Sequence, residues 1–207
     1  MATRIILVRH GHVDGIQPER FRGRAEIPLS TLGEKQRLLT AARVKQSAAP
    51  EMVFTSSLGR CIATGESIAS ACDVSSQILP ELCDIDYGAW QWKTHDEVRQ
   101  NAPDAFSTWK KHPDQMQMPE GESLQQVLVR VTQALGKILR EYEGKTVVMV
   151  SHDSVNRVLI LHMLGLPLSK YWAIKQDPCC INEVEFADGA FQIKSINETW
   201  HLSQLGS

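Results

Sequence analysis

The sequence predicts an α/β protein, a three-layer α/β/α sandwich around a mainly parallel sheet, on three observations. The runs RIILV (4–8) and KTVVMVS (145–151) are short, uninterrupted and β-branched, the pattern of strands buried on both faces of a parallel sheet. A weaker run, EMVFTS (51–56), offers a third strand. Helical patterns separate these runs, and alternating strands and helices build layered α/β folds.

The remaining elements follow in chain order. Thr31 begins a Thr-x-x-Glu capping box closing at Glu34, with Leu38, Leu39 and Ala42 at helical spacing behind it. Ser57 stands where it would cap a helix through GRCIATGESIASA (59–71). The strongest helix spans 122–142, with Leu124, Val127, Leu128, Val131, Leu135, Ile138, Leu139 and Tyr142 on one stripe. VNRVLILHML (155–164) continues directly from VSH as another helix. NEVEFADGAFQIKSI (182–196) alternates apolar and polar residues and reads as a hairpin turning at Asp188-Gly189. Residues 85–120, rich in Trp, Pro, His and charge, read as an insertion of short helices over the sheet edge, within one domain spanning 1–207.

Composition narrows the function classes. With 43% hydrophobic residues, 207 residues can bury one sizeable core. The formal charge is −2, from 22 basic and 24 acidic residues without a long run of either sign. Nucleic-acid and membrane-surface binders need a concentrated basic face, so neither is an expected partner. Four apolar residues before Arg9 are too few for a signal peptide, and no stretch approaches a membrane span. Cys61, Cys72, Cys83, Cys179 and Cys180 are odd in number, scattered and without zinc-ligand spacing. Reduced thiols in a cytoplasmic protein are the expectation. The oligomeric state is left open.

Two of the strand runs end in polar clusters, RHGH (9–12) and SHDS (151–154). In open α/β sheets, sites form outside the carboxyl ends of strands. Arg9, His10, Gly11, Arg60 and His152 together make a set suited to phosphoryl transfer. Two guanidiniums offer bidentate, permanently charged donors to a phosphoryl group. A neutral imidazole between them can attack phosphorus and carry the group as phosphohistidine. A second imidazole can donate to the equatorial oxygens. Gly11 lets backbone approach an oxyanion, and helix N-termini after both strands add amide donors. His95, His112, His162 and His201 read as structural hydrogen-bonding residues.

The blocks LVRHGH, RFRGRAEIPLSTLGEKQ, TSSLGRCIATGESI, LCDIDYGAWQ, PEGES and VVMVSHDSVNRVL resemble, in that order, those of the histidine phosphatase superfamily. That superfamily includes cofactor-dependent phosphoglycerate mutases and small phosphomonoesterases. The resemblance reaches the closing NETWHL and implies a phosphoglycerate mutase-like fold forming a single histidine phosphatase domain. It implies His10 as the phosphorylated nucleophile and Arg9, Arg60 and His152 as the phosphate pocket. Gly11, Arg22, Gly23, Tyr87 and Asp153 are the implied substrate contacts, with no metal and no cofactor.

Departures from the family pattern concern the acid and the rim. Ile16 falls where many relatives have a phosphate-contacting asparagine, and Arg22 replaces a usual glutamine as a candidate third cation. Arg24 and His12 read equally as rim contacts or solvated loop residues. The family glutamate that donates the proton is replaced by Asp84, one methylene shorter. In the acid phosphatase and phytase branch the donor directly follows the second histidine, a position held here by Asp153. Chain length and the GRAEIPLSTLG and DIDYG blocks favour Asp84, with Asp86 and Glu81 structural or solvent-facing.

The expected activity is therefore metal-independent hydrolysis of a small phosphorylated metabolite through phosphohistidine. Three alternatives stand beside it. Cofactor-dependent phosphoglycerate mutase activity is one, and a catalytically weak module that binds a phospho-ligand is another. A metal-dependent phosphohydrolase could use His10-x-His12 and His152-Asp153 as ligands, although Arg9 would repel the cation.

Overall fold

The computed structural model describes residues 2–205. Strands β1 (Thr3–Arg9), β2 (Met52–Thr55), β3 (Ser76–Ile78) and β4 (Thr146–Ser151) are parallel to one another. Strands β5 (Ile181–Ala187) and β6 (Ala190–Glu198) form an antiparallel hairpin on one side. The sheet order is β3-β2-β4-β1-β5-β6, so the two most apolar strands lie side by side at its centre.

Side chains alternate across this sheet with period two. Ile5, Leu7, Phe54, Val147 and Met149 pack with helices α5 (Leu124–Glu141) and α6 (Asp153–Met163). Ile6, Val8, Val53, Val148 and Val150 pack with α1 (Thr31–Ser47) and α2 (Gly59–Cys72). Each such burial contributes roughly 1.5–3 kcal/mol. A one-residue slip of β1 against β4 would exchange the two sets, so register is strongly held. The result is the expected three-layer sandwich. The hairpin turns at Asp188-Gly189, both with positive φ (52° and 77°), as a type I′ turn requires.

Several local expectations are corrected. The cap of α1 is Ser30, whose hydroxyl accepts from Gly33 N–H; Thr31 is already helical. The buried stripe of α1 is Gly33, Gln36, Thr40, Ala41 and Val44, whereas Leu38 and Ala42 face outward. Close approach explains this choice of small and hydrogen-bonded residues. A Cβ on Gly33 would stand 2.1 Å from the His12 carbonyl, and Thr40 Oγ1 donates to Gln36 O at 2.8 Å. Ser57 does not cap α2. Glu26 Oε1 accepts the Gly59 N–H at 2.7 Å from a distant loop instead. β3 had no signal in the sequence because its three residues are all exposed.

Residues 85–120 do form short helices, α3 (His95–Asn101) and α4 (Pro103–Lys111) among 3-10 turns. Their buried Trp90, Val98, Trp109, Met116 and Met118 join the α5–α6 face cluster, so the segment covers that face rather than a sheet edge. Among the described residues, no helix is long and apolar enough to cross a membrane.

Candidate active site

Parallel pairing sets the site. Arg9 and Ser151 are register partners at the ends of β1 and β4, and His10 N donates to Ser151 O at 3.0 Å. The next residues, His10 and His152, therefore leave the sheet beside each other, with ring centroids 5.1 Å apart at 62°. Arg60, on the first turn of α2, reaches between them. Its Nε donates to His10 Nε2 and its Nη2 stands beside His152 Nδ1, both at 3.3 Å. The same guanidinium is anchored by Gly23 O and Ala25 O, each at 2.7 Å. Arg9, His10, Arg60 and His152 are all at most 5% exposed.

The hydrogen bonds assign tautomers. His10 Nδ1 lies 2.7 Å from Gly11 O, which only accepts, so the proton sits on Nδ1 and Nε2 carries the lone pair facing Arg60. Burial, then the Arg60 charge, then His152 and Arg9, push the His10 pKa well below its ordinary value. His152 is lowered in the same way, by burial first and then by Arg60, Arg9, Arg130 and Arg22. Both rings are neutral at pH 7. A neutral Nε2 lone pair beside two guanidiniums is a nucleophile poised for an anion.

Arg9 Nη1 donates to Gln176 O at 2.5 Å, while its buried Nε has no hydrogen-bond partner among the described residues. Behind it, Gln176 and Asn182 lock amide to amide: Gln176 Nε2 gives to Asn182 Oδ1 at 2.7 Å, and Asn182 Nδ2 returns to Gln176 Oε1 at 2.9 Å. Asn182 also donates to Leu7 O at 3.1 Å, tying this pair to β1.

The two rival acids are separated in space. Asp84 Oδ2 lies 3.6 Å from Arg60 Nη2 and 3.7 Å from His152 Nδ1. Its Oδ1 accepts from Ile85 N at 2.9 Å and from the Ser154 hydroxyl. Asp153 instead turns to Arg157, four residues on in α6, at 2.5 Å. The loop bearing Asp84 is clamped from α5. Arg130 donates to the carbonyls of Glu81, Cys83 and Asp84 and pairs with both oxygens of Glu122.

The remaining candidates fall on the rim. Arg22, Gly23, Tyr87 and Asp153 line a small cavity of about 30 Å³ together with Asp84, Glu19, His95, Trp109, Tyr171 and Trp172. Arg22 donates to Gly15 O at 2.8 Å; burial and then the Arg9 charge lower its pKa. Burial also raises the Tyr87 phenol. The Gly11 amide is already bonded to Thr64 Oγ1 at 3.2 Å, and a Cβ there would stand 2.8 Å from Gly33 O. Gly11 thus seats His10 against α1 and offers no free amide to an oxyanion. Arg24 is exposed and ion-paired with Asp86 and Glu122 at 3.4 and 3.1 Å. His12 Nδ1 contacts Ser30 Oγ at 2.8 Å, and Ile16 lies with it along a separate groove.

Sequence reasoning missed Ser56, Arg130, Ser154, Gln176 and Asn182, and it placed His95 among purely structural histidines although it lines the cavity. His95 Nδ1 pairs with Glu19 at 3.1 Å on the cavity wall. Among the described residues no three His, Cys, Asp or Glu side chains converge on a point fit for a metal ion.

The chain is similar to known proteins along nearly its whole length. The chain is 29% identical to phosphoserine phosphatase 1 of Hydrogenobacter thermophilus, covering 98% of this chain and 96% of that protein. It is 30% identical to the metal-independent phosphoserine phosphatase of Arabidopsis thaliana, over 99% of this chain and 85% of that one. The solved structure of Bacillus stearothermophilus YhfR superposes with a TM-score of 0.90 at 26% identity, covering 97% of this chain and 99% of that one. A family model covers residues 5–199, from the strand that delivers Arg9 and His10 to the end of the closing hairpin, and by it the chain belongs to the histidine phosphatase superfamily, branch 1.

Proposed function

We propose that this histidine-type phosphomonoesterase hydrolyses small phosphorylated metabolites through a phosphoryl group carried on His10 Nε2, with Asp84 as its proton donor. The observation that carries the reading is the His10 ring itself. Gly11 O holds its Nδ1–H, leaving Nε2 unprotonated between Arg60 and His152.

An incoming phosphoryl group draws Arg60 from Nε2 and takes up the free Arg9 Nε–H and the Arg60 donors. The Nε2 lone pair attacks phosphorus as the bond to the ester oxygen breaks, and His152 donates to an equatorial oxygen as charge shifts. Asp84, held by Ile85 N and Ser154 through Oδ1, presents Oδ2 to protonate the departing oxygen. The same carboxylate then takes a proton from water, whose oxygen attacks phosphorus and releases His10 and inorganic phosphate. No step calls on a metal ion.

The substrate is a small ester of about phosphoserine size. Support comes from the named activities of the Hydrogenobacter and Arabidopsis relatives. The rim agrees, because Arg22 suits a substrate carboxylate and Asp153 an ammonium.

The test is rapid-quench trapping with radiolabelled phosphoserine under alkaline conditions that preserve phosphohistidine. Label on His10, with turnover unchanged by EDTA, is the expected result. Turnover abolished by the chelator and restored by a divalent ion overturns the mechanism.

A further inference from the structure

Ser56 follows β2 directly and is fully buried behind the phosphate pocket. Its Oγ stands 2.7 Å from His152 Nε2. The other ring nitrogen, Nδ1, faces the pocket, 3.3 Å from Arg60 Nη2 and 3.7 Å from Asp84 Oδ2. A neutral imidazole carries one proton, so only one of these nitrogens can donate at a time.

The surroundings favour a neutral ring. Arg60 from α2, Arg9 from β1, Arg130 from α5 and Arg22 from the rim all oppose a further cation here. Among the described residues Asp84 is the one acidic side chain facing the ring, while His10 and Cys61 are neutral neighbours. A neutral ring can serve a phosphoryl oxygen only if its proton is on Nδ1. With the proton on Nε2 it would aim a lone pair at that oxygen instead.

Ser56 is placed to decide which. Its Oγ accepts the Leu58 N–H at 3.2 Å, leaving the hydroxyl hydrogen to be given away. Apart from the soft Cys61 sulfur, which lies 3.4 Å from Nε2 and is a weak acceptor, His152 Nε2 is the acceptor within reach. We propose that Ser56 is the positioning residue of His152: its hydroxyl donates to Nε2 and keeps the ring proton on Nδ1, facing the phosphoryl group. Arg60 Nη2 stands on that side and is drawn to the phosphoryl oxygens when they arrive. The proposal rests on the reading that His152 touches the phosphoryl group, and it adds how a ring that stays neutral can donate there.

The experiment is nitrogen-15 NMR of the histidine rings in the full-length enzyme with inorganic phosphate bound, His152 assigned by its Gln variant. Wild type is expected to show a protonated Nδ1 and an unprotonated Nε2. In Ser56→Ala the ring should move toward the Nε2–H form, and kcat should fall about tenfold to a hundredfold with KM little changed. That loss should shrink toward acid pH, where a second proton restores Nδ1–H whatever the tautomer. Ser56→Thr, which keeps the hydroxyl, should recover both spectrum and rate. A phosphate-bound wild type with Nε2–H, or with a doubly protonated ring, overturns the proposal even if no variant folds. So does Ser56→Ala with an unchanged spectrum and a loss equal at every pH. Full turnover by His152→Ala would instead remove the underlying reading, whatever the spectrum shows.

Discussion

Asp84 brings its Oδ2 to 3.7 Å from Nδ1 of His152 and 3.6 Å from Arg60, while Asp153 closes on Arg157 in its own helix. Of the two acids, Asp84 alone therefore stands among the groups proposed to bind phosphate. Asp84→Asn should lower kcat on phosphoserine by about a hundredfold or more. The loss should shrink sharply with an aryl phosphate, whose leaving oxygen hardly needs a proton. Asp153→Asn should leave kcat within a few-fold and act mainly on KM. Steady-state kinetics on both substrates check this, and the reverse ranking would move the acid to Asp153.

Arg130 acts on the reaction only through that loop. It gathers three carbonyl contacts, to Glu81, Cys83 and Asp84, and pairs with Glu122 from within α5. Removing it takes the donor from the Glu81 and Cys83 carbonyls, each with a desolvation cost of about 1–3 kcal/mol, while Glu122 keeps Arg24 and the Asp86 N–H. Arg130→Ala should lose about 2–4 kcal/mol of folding stability, read by urea titration. It should lower kcat more than it raises KM, because the acid is displaced while the cationic pocket stays. Arg130→Lys should recover little, since one ammonium cannot reach three carbonyls and a carboxylate together.

The buried rings also make stability depend on pH. A histidine in the unfolded chain takes a proton below about 6.5, whereas burial and the arginines keep His10 and His152 neutral in the fold. Below that pH the unfolded state holds more protons, so stability falls as pH falls. The slope reaches about 1.4 kcal/mol per pH unit for each ring and ends only at the lowered folded values. Urea unfolding at pH 7.5 and 5.5 should show the difference, and His10→Gln should reduce it. Equal stability at both pH values would mean that the rings titrate normally.

How much of this was legible in the sequence depends on how each residue does its work. Strands β1 and β4 bury both faces, so hydrophobicity alone marked them, and the charged residues at their ends could be placed at one sheet edge. Arg60 and Asp84 were found because their blocks resemble a family. Gln176 and Asn182 left no such trace, and Ser56 stood in the TSSLGRCIATGESI block without a role of its own: the use of all three appears only when a partner 20 to 175 residues away is brought against them. The α1 stripe was misread for a related reason. Its inner face is chosen for close approach and hydrogen bonding, so Thr40 and Gly33 lie inside while Leu38 lies out. Hydrophobic periodicity cannot detect a face selected by size.

The last expectation concerns what accepts the phosphoryl group. A mutase must shield its phosphohistidine from water and hold a doubly phosphorylated intermediate while it turns over. That requires a second cluster of cations beside the first. Among the described rim cations Arg22 is the one positioned for such a contact near the pocket, already donating to Gly15 O, since Arg24 is taken up by Asp86 and Glu122 and Arg20 is turned to the Trp92 carbonyl and ring. Ile16, in the place of a family asparagine, lies along the separate groove with His12 and supplies no donor side chain. One guanidinium suits one substrate carboxylate better than a second phosphate dianion. Arg22→Ala should therefore raise KM about tenfold, the loss of one charge-assisted contact, with kcat little changed. With 3-phosphoglycerate the enzyme should release inorganic phosphate at the same rate with or without 2,3-bisphosphoglycerate, and 2-phosphoglycerate should not accumulate. Interconversion faster than phosphate release, or a rate that rises with the bisphosphate, would make a substrate hydroxyl the productive acceptor rather than water.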